Sequence, residues 1–540
     1  MILRPHFCQG DLAYNRCVAA NLHLRLAELL ASLSLAIDLG TGQPMEWVLK
    51  CTLLATNLSK TLNLSADEQH DVFYLALLRH VGCTANSHSD AELFGDELAV
   101  AEGMTLDTAD MNAMMGFVFR NTGKGRPALT RLQMIARLMS LGPSLAEPNH
   151  NSHCEVAQRV ALTLGLPDRL QPMLWQLYER WDGKGTPKRL KGEDLALPIR
   201  VIHLVQDVAT FYSLSGVEAA LAMARARSGG QFDPALTDAF CQHAPDLCAP
   251  LNTESTWDAV LNAEPGQPRH LNDDGFDAAC HAVADFTDMK SPFTLGHSRH
   301  VAQLAEAAAR ECRLPQSDVE AMRHAALIHD IGRVGVTAGI WGKPGPLTEG
   351  EWERVRLHPY YTERVFARSP ALEPLGALAA LHHERLDGSG YHRRVAGSAL
   401  PLTARLLAAA DVYCAMTETR PHRPAFASEA AAEQLRRDAR AGKFDEKAAD
   451  AVLAAAGHAS RVSTRKAASA TELSEREIEV LRLVSRGFSN KDMARSLSIS
   501  PKTVGHHVQH IYNKIGVSTR AGATLYAVQN NLLDQDLTGF

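Results

Sequence analysis

The stretch His382-His-Glu-Arg-Leu-Asp-Gly-Ser-Gly-Tyr391 has a second copy in this chain, and the repetition sets the architecture. Shifted back by 205 residues it meets Leu177-Tyr-Glu-Arg-Trp-Asp-Gly-Lys-Gly-Thr186. Glu384 falls on Glu179, Asp387-Gly388 on Asp182-Gly183 and Gly390 on Gly185. Working outward without a gap, the same shift puts His358 on His153, Gly397 on Gly192 and Arg405 on Arg200. Residues 153–206 share 14 identities in 54 positions with their counterparts, where ordinary composition gives about three or four. The pattern reads as an internal duplication. Upstream the match weakens. Leu77-Leu78-Arg79-His80 echoes Leu327-Ile328-His329-Asp330, which with His80 taken onto His329 puts Val81 at the position of Asp330 and an insertion of about 44 residues in the first copy.

The rest of the composition fits a helical frame. The 540 residues are enough for about three or four domains, and the 46% that are apolar can give each a core. Aromatics are only 6% and alanine is abundant, which favours helix. Apolar residues recur at three and four spacing over 301–310, 318–328 and 429–440, and strand-like alternation is scarce. With 55 Lys+Arg against 61 Asp+Glu the net charge is −6, so a nucleic-acid site must be a local patch. Ten cysteines without a CxxC pair suit a reducing compartment. Residues 22–39 are interrupted by Arg25 and Glu28 and read as an amphipathic helix rather than a bilayer span. No basic segment leads into an apolar core, so no signal peptide is expected. The expectation is a cytoplasmic protein with no membrane contact. The predicted domains are 1–245, 270–456 and 471–535. The proline-rich stretch 244–269 and the polar stretch 457–470 read as their linkers.

Between 297 and 411 the second copy carries His297, His329-Asp330, His358, His382-His383 and Asp411. Imidazole and carboxylate suit Fe, Mn and Zn. A carboxylate beside a ligand histidine can bridge two cations through its two oxygens. Five histidines and two aspartates can hold two divalent ions with positions open to water. Such a pair clamps the attacking and leaving oxygens of a phosphoryl displacement.

These residues lie in Thr294-Leu-Gly-His297-Ser, His329-Asp-Ile-Gly-Arg333-Val-Gly-Val336, Lys343-Pro-Gly-Pro-Leu-Thr348, His358-Pro359, the stretch 382–391, Asp411-Val-Tyr413 and Thr417-Glu-Thr-Arg-Pro-His-Arg423. Residues 290–430 resemble an HD-GYP domain, the cyclic di-GMP phosphodiesterase branch of the HD metal phosphohydrolases. The resemblance implies an all-α fold with two tandem HD-type domains. It implies hydrolysis of cyclic di-GMP and a metal set of His297, His329, Asp330, His358, His382, His383 and Asp411, with Fe or Mn bound. It also places Asp330 and Arg333 at the catalytic positions, and Arg420 and Arg423 where substrate phosphates are held, a task that suits guanidinium forks. Three departures stand out. Arg333 replaces the family's usual lysine, and a planar fork is not a point charge. His392 replaces the proline of the Gly-Tyr-Pro signature, which loosens the loop. Phe293 stands where some members have a glutamate for a third metal, so two ions are expected. The first copy has Leu177, Tyr178 and Gln206 in place of His382, His383 and Asp411. It resembles a degenerate HD domain without metal.

Residues 471–535 carry helix-start signals at Ser474 with Glu477, Ser489 with Asp492, and Ser500-Pro501. Stops fall at Gly487 and Gly516. Four helices follow, the third running from about Lys502 to Lys514 and the fourth from about Arg520. Between 480 and 520 Arg482, Arg486, Lys491, Arg495, Lys502, Lys514 and Arg520 face only Asp492, a basic patch in an acidic chain. The segments Leu473-Ser-Glu-Arg-Glu477, Gly487-Phe-Ser-Asn-Lys491, Ser500-Pro-Lys-Thr-Val504, His507 and Lys514-Ile-Gly-Val517 resemble a LuxR-type helix-turn-helix, which implies DNA binding as a homodimer. Lys491, Lys502, Thr503, His506, His507, Gln509, Asn513 and Lys514 are the DNA-facing candidates. Val504, Val508, Ile511 and Ile515 form the opposite, core-facing stripe. The combined reading is a bacterial regulator that couples a metal-dependent cyclic di-GMP phosphodiesterase to DNA binding. The alternatives are a non-enzymatic transcription factor that only senses a nucleotide, and an HD hydrolase of another phosphoester.

Overall fold

A computed structural model describes residues 24–98, 103, 105–141, 146–458 and 473–533. Among these residues there are helices and turns, and no strand. The linker 459–472 and the tail beyond 533 lie outside the described residues.

The duplication is visible as a duplication of contacts. A Cβ on Gly82 would meet the His153 carbonyl oxygen at 2.2 Å, and one on Gly332 would meet that of His358 at 1.9 Å. Only glycine lets these backbones approach so closely. Likewise a Cβ on Gly185 would meet Glu179 Cα at 2.4 Å, and one on Gly390 would meet Glu384 Cα at 2.6 Å. The Glu179 carboxylate accepts the N–H groups of Lys188, Arg189 and Leu190, and Glu384 accepts those of Arg393 and Val395. Arg200 binds Asp233 at 2.7 Å where Arg405 binds Asp445 at 3.0 Å.

These contacts correct the upstream register by one residue. Gly82 answers Gly332, so His80 stands at the position of Asp330, Arg79 at that of His329, and Val81 at that of Ile331. His80 and Asp330 both precede a 3₁₀ turn, with φ −112° and −98°. The two histidines do not correspond, because the repeats share backbone at this turn and not side-chain chemistry.

Two further expectations change. The Leu26–Thr41 helix is buried on almost every side rather than amphipathic. It packs between the Trp47–Thr61 helix and the second repeat's Ile331–Gly335 turn. Its flanking Arg25 pairs with Glu264, and Glu28 accepts from Ser369, so the charges do not interrupt the buried faces. The stretch 244–269 is helical for much of its length. The Pro234–Cys248 and Thr256–Ala263 helices bury Leu247, Trp257, Val260 and Leu261 in the core. The apolar interiors of both repeats form one continuous cluster.

The C-terminal helices Glu475–Ser485, Asn490–Ser496, Pro501–Ile515 and Arg520–Gln529 have a core of their own. Ser474 forms a capping box with Glu477, Ser489 caps onto Asp492 N–H, and Ser500 caps onto Thr503 N–H ahead of Pro501. Gly487 and Gly516 take φ of 82° and 64°. This module rests on the first repeat. The buried Glu155 carboxylate accepts Ser518 N–H at 3.1 Å and the hydroxyls of Ser518 and Thr519. Leu525 joins the core of the two repeats.

Candidate metal centre and DNA-reading face

The metal-capable residues of the second repeat converge because each sits at a helix end or on an inward face. His297 opens one helix behind Gly296 at φ 79°, His358 opens another, and His329-Asp330 close the Gln316–Ile328 helix. His382-His383 follow the Glu373–Ala379 helix, and Asp411 lies within the Leu402–Thr417 helix. All are buried except His383, which is partly exposed.

Asp330 lies between two imidazole sets. Its Oδ1 is 3.4 Å from His358 Nε2 and 3.5 Å from His382 Nε2. Its Oδ2 is 3.6 Å from His329 Nε2 and 3.8 Å from His297 Nε2. Asp411 divides in the same way, with Oδ1 at 3.2 Å from His297 Nε2 and Oδ2 at 3.5 Å from His383 Nδ1. Donor atoms of His358, His382 and His383 lie within 4.8 Å of one another, as do those of His297, His329 and Asp330.

The donor set fits metal. His329, His358 and His382 each give Nδ1–H to a backbone carbonyl, of Ala326, Val355 and Ala379 respectively. That fixes the tautomer and leaves the Nε2 lone pairs facing inward. The lone pairs of His358 and His382 then face each other at 3.0 Å, an arrangement that a shared cation resolves. His329 Nε2, Asp330 Oδ1, His383 Nδ1 and Asp411 Oδ2 are buried without a hydrogen-bond partner. Burial holds His329 down at about 4 and His358 at about 3, and pushes His383 well below its ordinary value. Neutral imidazole is the form that ligates. Burial also opposes charge on His297, but Glu418 and Asp411 outweigh it and raise His297 to about 10. Burial would raise Asp330, yet Arg333 and His329 hold it well below the usual carboxylate range.

Three partners were not singled out from the sequence. Glu418 takes His297 Nδ1 at 2.9 Å and orients that ring. Trp341 stacks on the Arg333 guanidinium at 3.9 Å and meets the His358 ring edge-on at 5.7 Å. Tyr391 lies 4.5 Å from the His383 ring. Arg333 itself donates to Asp330 Oδ2 at 3.0 Å. Arg420 pairs with Glu418 at 2.9 Å and donates to the Phe293 carbonyl. Arg423 donates to the carbonyls of Ala415, Met416, Glu418 and Pro424. His392 takes φ 75°, which a proline ring cannot adopt. Its loop is not merely loosened, for the imidazole packs on Tyr360 and lies 3.6 Å from Glu363.

In the first repeat the corresponding space is filled from within. The Arg79 guanidinium lies over the Tyr178 ring at 4.5 Å and donates to Gln206 at 3.2 Å. The Tyr178 hydroxyl meets His153 Nδ1 at 2.7 Å. His80 lies 3.7 Å from Cys83 Sγ. Burial lowers His80 well below its ordinary value and His153 to about 3.

In the C-terminal module Lys491, Lys502, Thr503, His506, Gln509, Asn513 and Lys514 are exposed, and His507 is half-buried. Val504 and Ile511 are buried, with Val508 and Ile515 packed on the same core. Gln509 donates to Asn513 at 3.1 Å, and Lys514 is held by Glu477 at 2.8 Å. Part of the basic patch is structural. Arg482 donates to the Leu532 carbonyl, and Arg520 to those of Val484 and Phe488. A Cβ at Gly505 would meet nothing nearer than Asn490 at 3.9 Å, so packing does not demand this glycine.

Fold and centre define a metal-dependent phosphohydrolase of the HD class. Comparison with known proteins places it further. Residues 146–236 and 281–448 match the HD domain model, and residues 471–527 match that of bacterial regulatory proteins of the luxR family. The 3'3'-cGAMP-specific phosphodiesterase 3 of Vibrio cholerae is 33% identical over 405 residues, 74% of this chain and 88% of the relative. The cyclic di-GMP phosphodiesterase response regulator RpfG of Xanthomonas campestris is 36% identical over 171 residues, which are 31% of this chain and 44% of RpfG. The crystal structure of the cyclic GMP-AMP-specific phosphodiesterase V-cGAP3 of V. cholerae gives a TM-score of 0.56 at 29% identity, covering 80% of this chain and 98% of that one. The chain belongs to the HD-GYP family of phosphodiesterases and carries a LuxR-type DNA-binding domain at its C-terminal end. Among the described residues no helix is long and apolar enough to cross a membrane.

Proposed function

We propose that the second repeat hydrolyses a 3'3'-linked cyclic dinucleotide at a two-metal centre and that the C-terminal domain reads DNA in the same compartment. The observation that carries this reading is the division of Asp330, one oxygen toward His358 and His382 and the other toward His297 and His329. Two divalent ions there, iron or manganese as the family resemblance implies, would supply hydroxide near neutral pH and a clamp for phosphoryl oxygens. His297, His329, His358, His382, His383, Asp330 and Asp411 hold them. Arg333 orients Asp330 and has further donors for a substrate phosphate. Arg420 and Arg423 give protein oxygens part of their guanidinium N–H groups and have others for a substrate phosphate.

The relative that spans most of this chain is named for 3'3'-cGAMP and the one that spans a third of it for cyclic di-GMP, so 3'3'-cGAMP is the first substrate to test. Full-length protein loaded with Mn or Fe(II) is incubated with each dinucleotide, and linear products are resolved by chromatography. Conversion of one or both is expected. Metal-loaded protein that leaves both intact contradicts the reading.

A further inference from the structure

Two loops border the metal centre, 289–296 ahead of His297 and 336–342 after the Asp330 turn. Both rest on a segment of the first repeat. Glu97 reaches across to take the backbone N–H of Ala338 at 2.7 Å and pairs with Lys290 Nζ at 2.8 Å. Glu97 is 8% exposed and Lys290 1%. The Ser87–Phe94 helix that precedes Glu97 packs on the short Ala338–Trp341 helix. A Cβ at Gly342 would meet the His88 ring at 3.1 Å, and His88 stands edge-on to Phe293 at 6.4 Å.

A buried ion pair is a poor stabiliser, since desolvating both charges cancels much of their attraction. What this one supplies is position. One carboxylate ties the loop that leads into His297 to the helix that carries Trp341. Trp341 stacks on Arg333 and donates its indole N–H to the Arg333 carbonyl at 3.1 Å. Arg333 in turn holds Asp330. We propose that Glu97, from the degenerate repeat, is a positioning residue of the phosphodiesterase centre, acting through Ala338–Trp341 on the Arg333 that orients Asp330. The proposal rests on the function proposed above, and it makes the first repeat part of the catalytic wall.

The test uses the full-length chain with Glu97→Ala and Glu97→Gln, comparing metal content, kcat and KM with the wild type. Glu97→Ala is expected to keep its metal and lose about ten- to a hundredfold in kcat, with KM changed far less. Glu97→Gln keeps an oxygen for the Ala338 N–H and is expected to fall between the two. Wild-type kcat and KM in Glu97→Ala, or activity lost only in proportion to metal, overturns the proposal. Should Glu97→Ala not fold, Glu97→Gln carries the same comparison, and wild-type kinetics there overturn it. If the wild type hydrolyses neither dinucleotide, the functional reading fails instead. Glu97 is then judged by amide hydrogen exchange. Faster exchange over 338–341 in the variants supports the positioning role, and unchanged exchange overturns it.

Discussion

The two repeats share a frame and differ at its centre. In the second, His329, Asp330, His358, His382, His383 and Asp411 enclose a space shaped for cations. In the first, the same positions hold Arg79, His80, His153, Leu177, Tyr178 and Gln206. The guanidinium of Arg79, between Tyr178 and Gln206, puts a covalently held positive charge where the second repeat gathers donor atoms suited to a cation. The frame survives the exchange because it does not depend on the ligands. Gly82 on His153 and Gly332 on His358, the glutamates that gather loop N–H groups, and the arginine–aspartate pairs are built alike in both. Metal chemistry and fold are therefore separable here. The repeat that lost one can serve the other as a wall, through Glu97, and as a seat for the DNA-binding module, through Glu155.

The sharpest way to break this contrast is to remove the dividing carboxylate. Asp330→Ala is expected to bring turnover below detection, because Asp330 sets two imidazoles against each of its oxygens, where Asp411 has a single imidazole at Oδ2. His80→Ala, at the matching position, is expected to leave turnover near wild type. Product formation by both variants decides it, and an active Asp330→Ala would remove the distinction.

Acid should expose the first repeat's buried imidazoles. Burial lowers His153 and His203 to about 3 and His150 to about 4. They stay neutral in the folded chain while the unfolded chain takes up protons below about pH 6.5. Stability is thus complete above that pH and falls as pH drops toward 4, by up to about 1.4 kcal/mol per pH unit for each group. Urea unfolding followed between pH 7 and 4.5 measures this. A flat profile would show that these rings are not held neutral.

The seat of the DNA-binding module gives a smaller effect. Glu155→Ala removes hydrogen bonds to a buried carboxylate and should loosen the docking by about 1.5–3 kcal/mol. Faster amide exchange over 518–529 is the readout, and unchanged exchange would show that the carboxylate does not hold the module. Least of all, Lys502→Ala should weaken DNA binding about equally for all sequences and reduce the salt slope by about one. Lys514→Ala should do less, since Glu477 already holds that ammonium. Titrations of the full chain at several salt concentrations separate the two, and equal effects would mean that Lys514 leaves Glu477 on DNA.

Much of this was legible in one dimension. The caps at Ser474, Ser489 and Ser500 are local, each needing only a side chain and an N–H two or three residues on, so their pattern reads directly. The centre was legible because histidine and aspartate at those positions have few other reasons to recur. The second layer was not. Glu418 finds His297 from 121 residues away, and Glu97 finds Ala338 from 241. A lone glutamate in a helical chain is usually solvated surface and gives no sign of such a partner. The burial of the Leu26–Thr41 helix has a related cause, since Arg25 pairs with Glu264 and Glu28 accepts from Ser369, both far along the chain. The register of Arg79 and His80 needed the glycine contacts, because sequence matching follows side chains and the duplication retained backbone.

The central claim is that one repeat binds metal and the other has replaced it. It is tested most directly by counting metal per chain in wild type, Asp330→Ala and His153→Ala after purification with iron or manganese. The account predicts two ions in the wild type and in His153→Ala, and a loss of most metal in Asp330→Ala. Two ions retained without Asp330, or metal lost with His153, would contradict it.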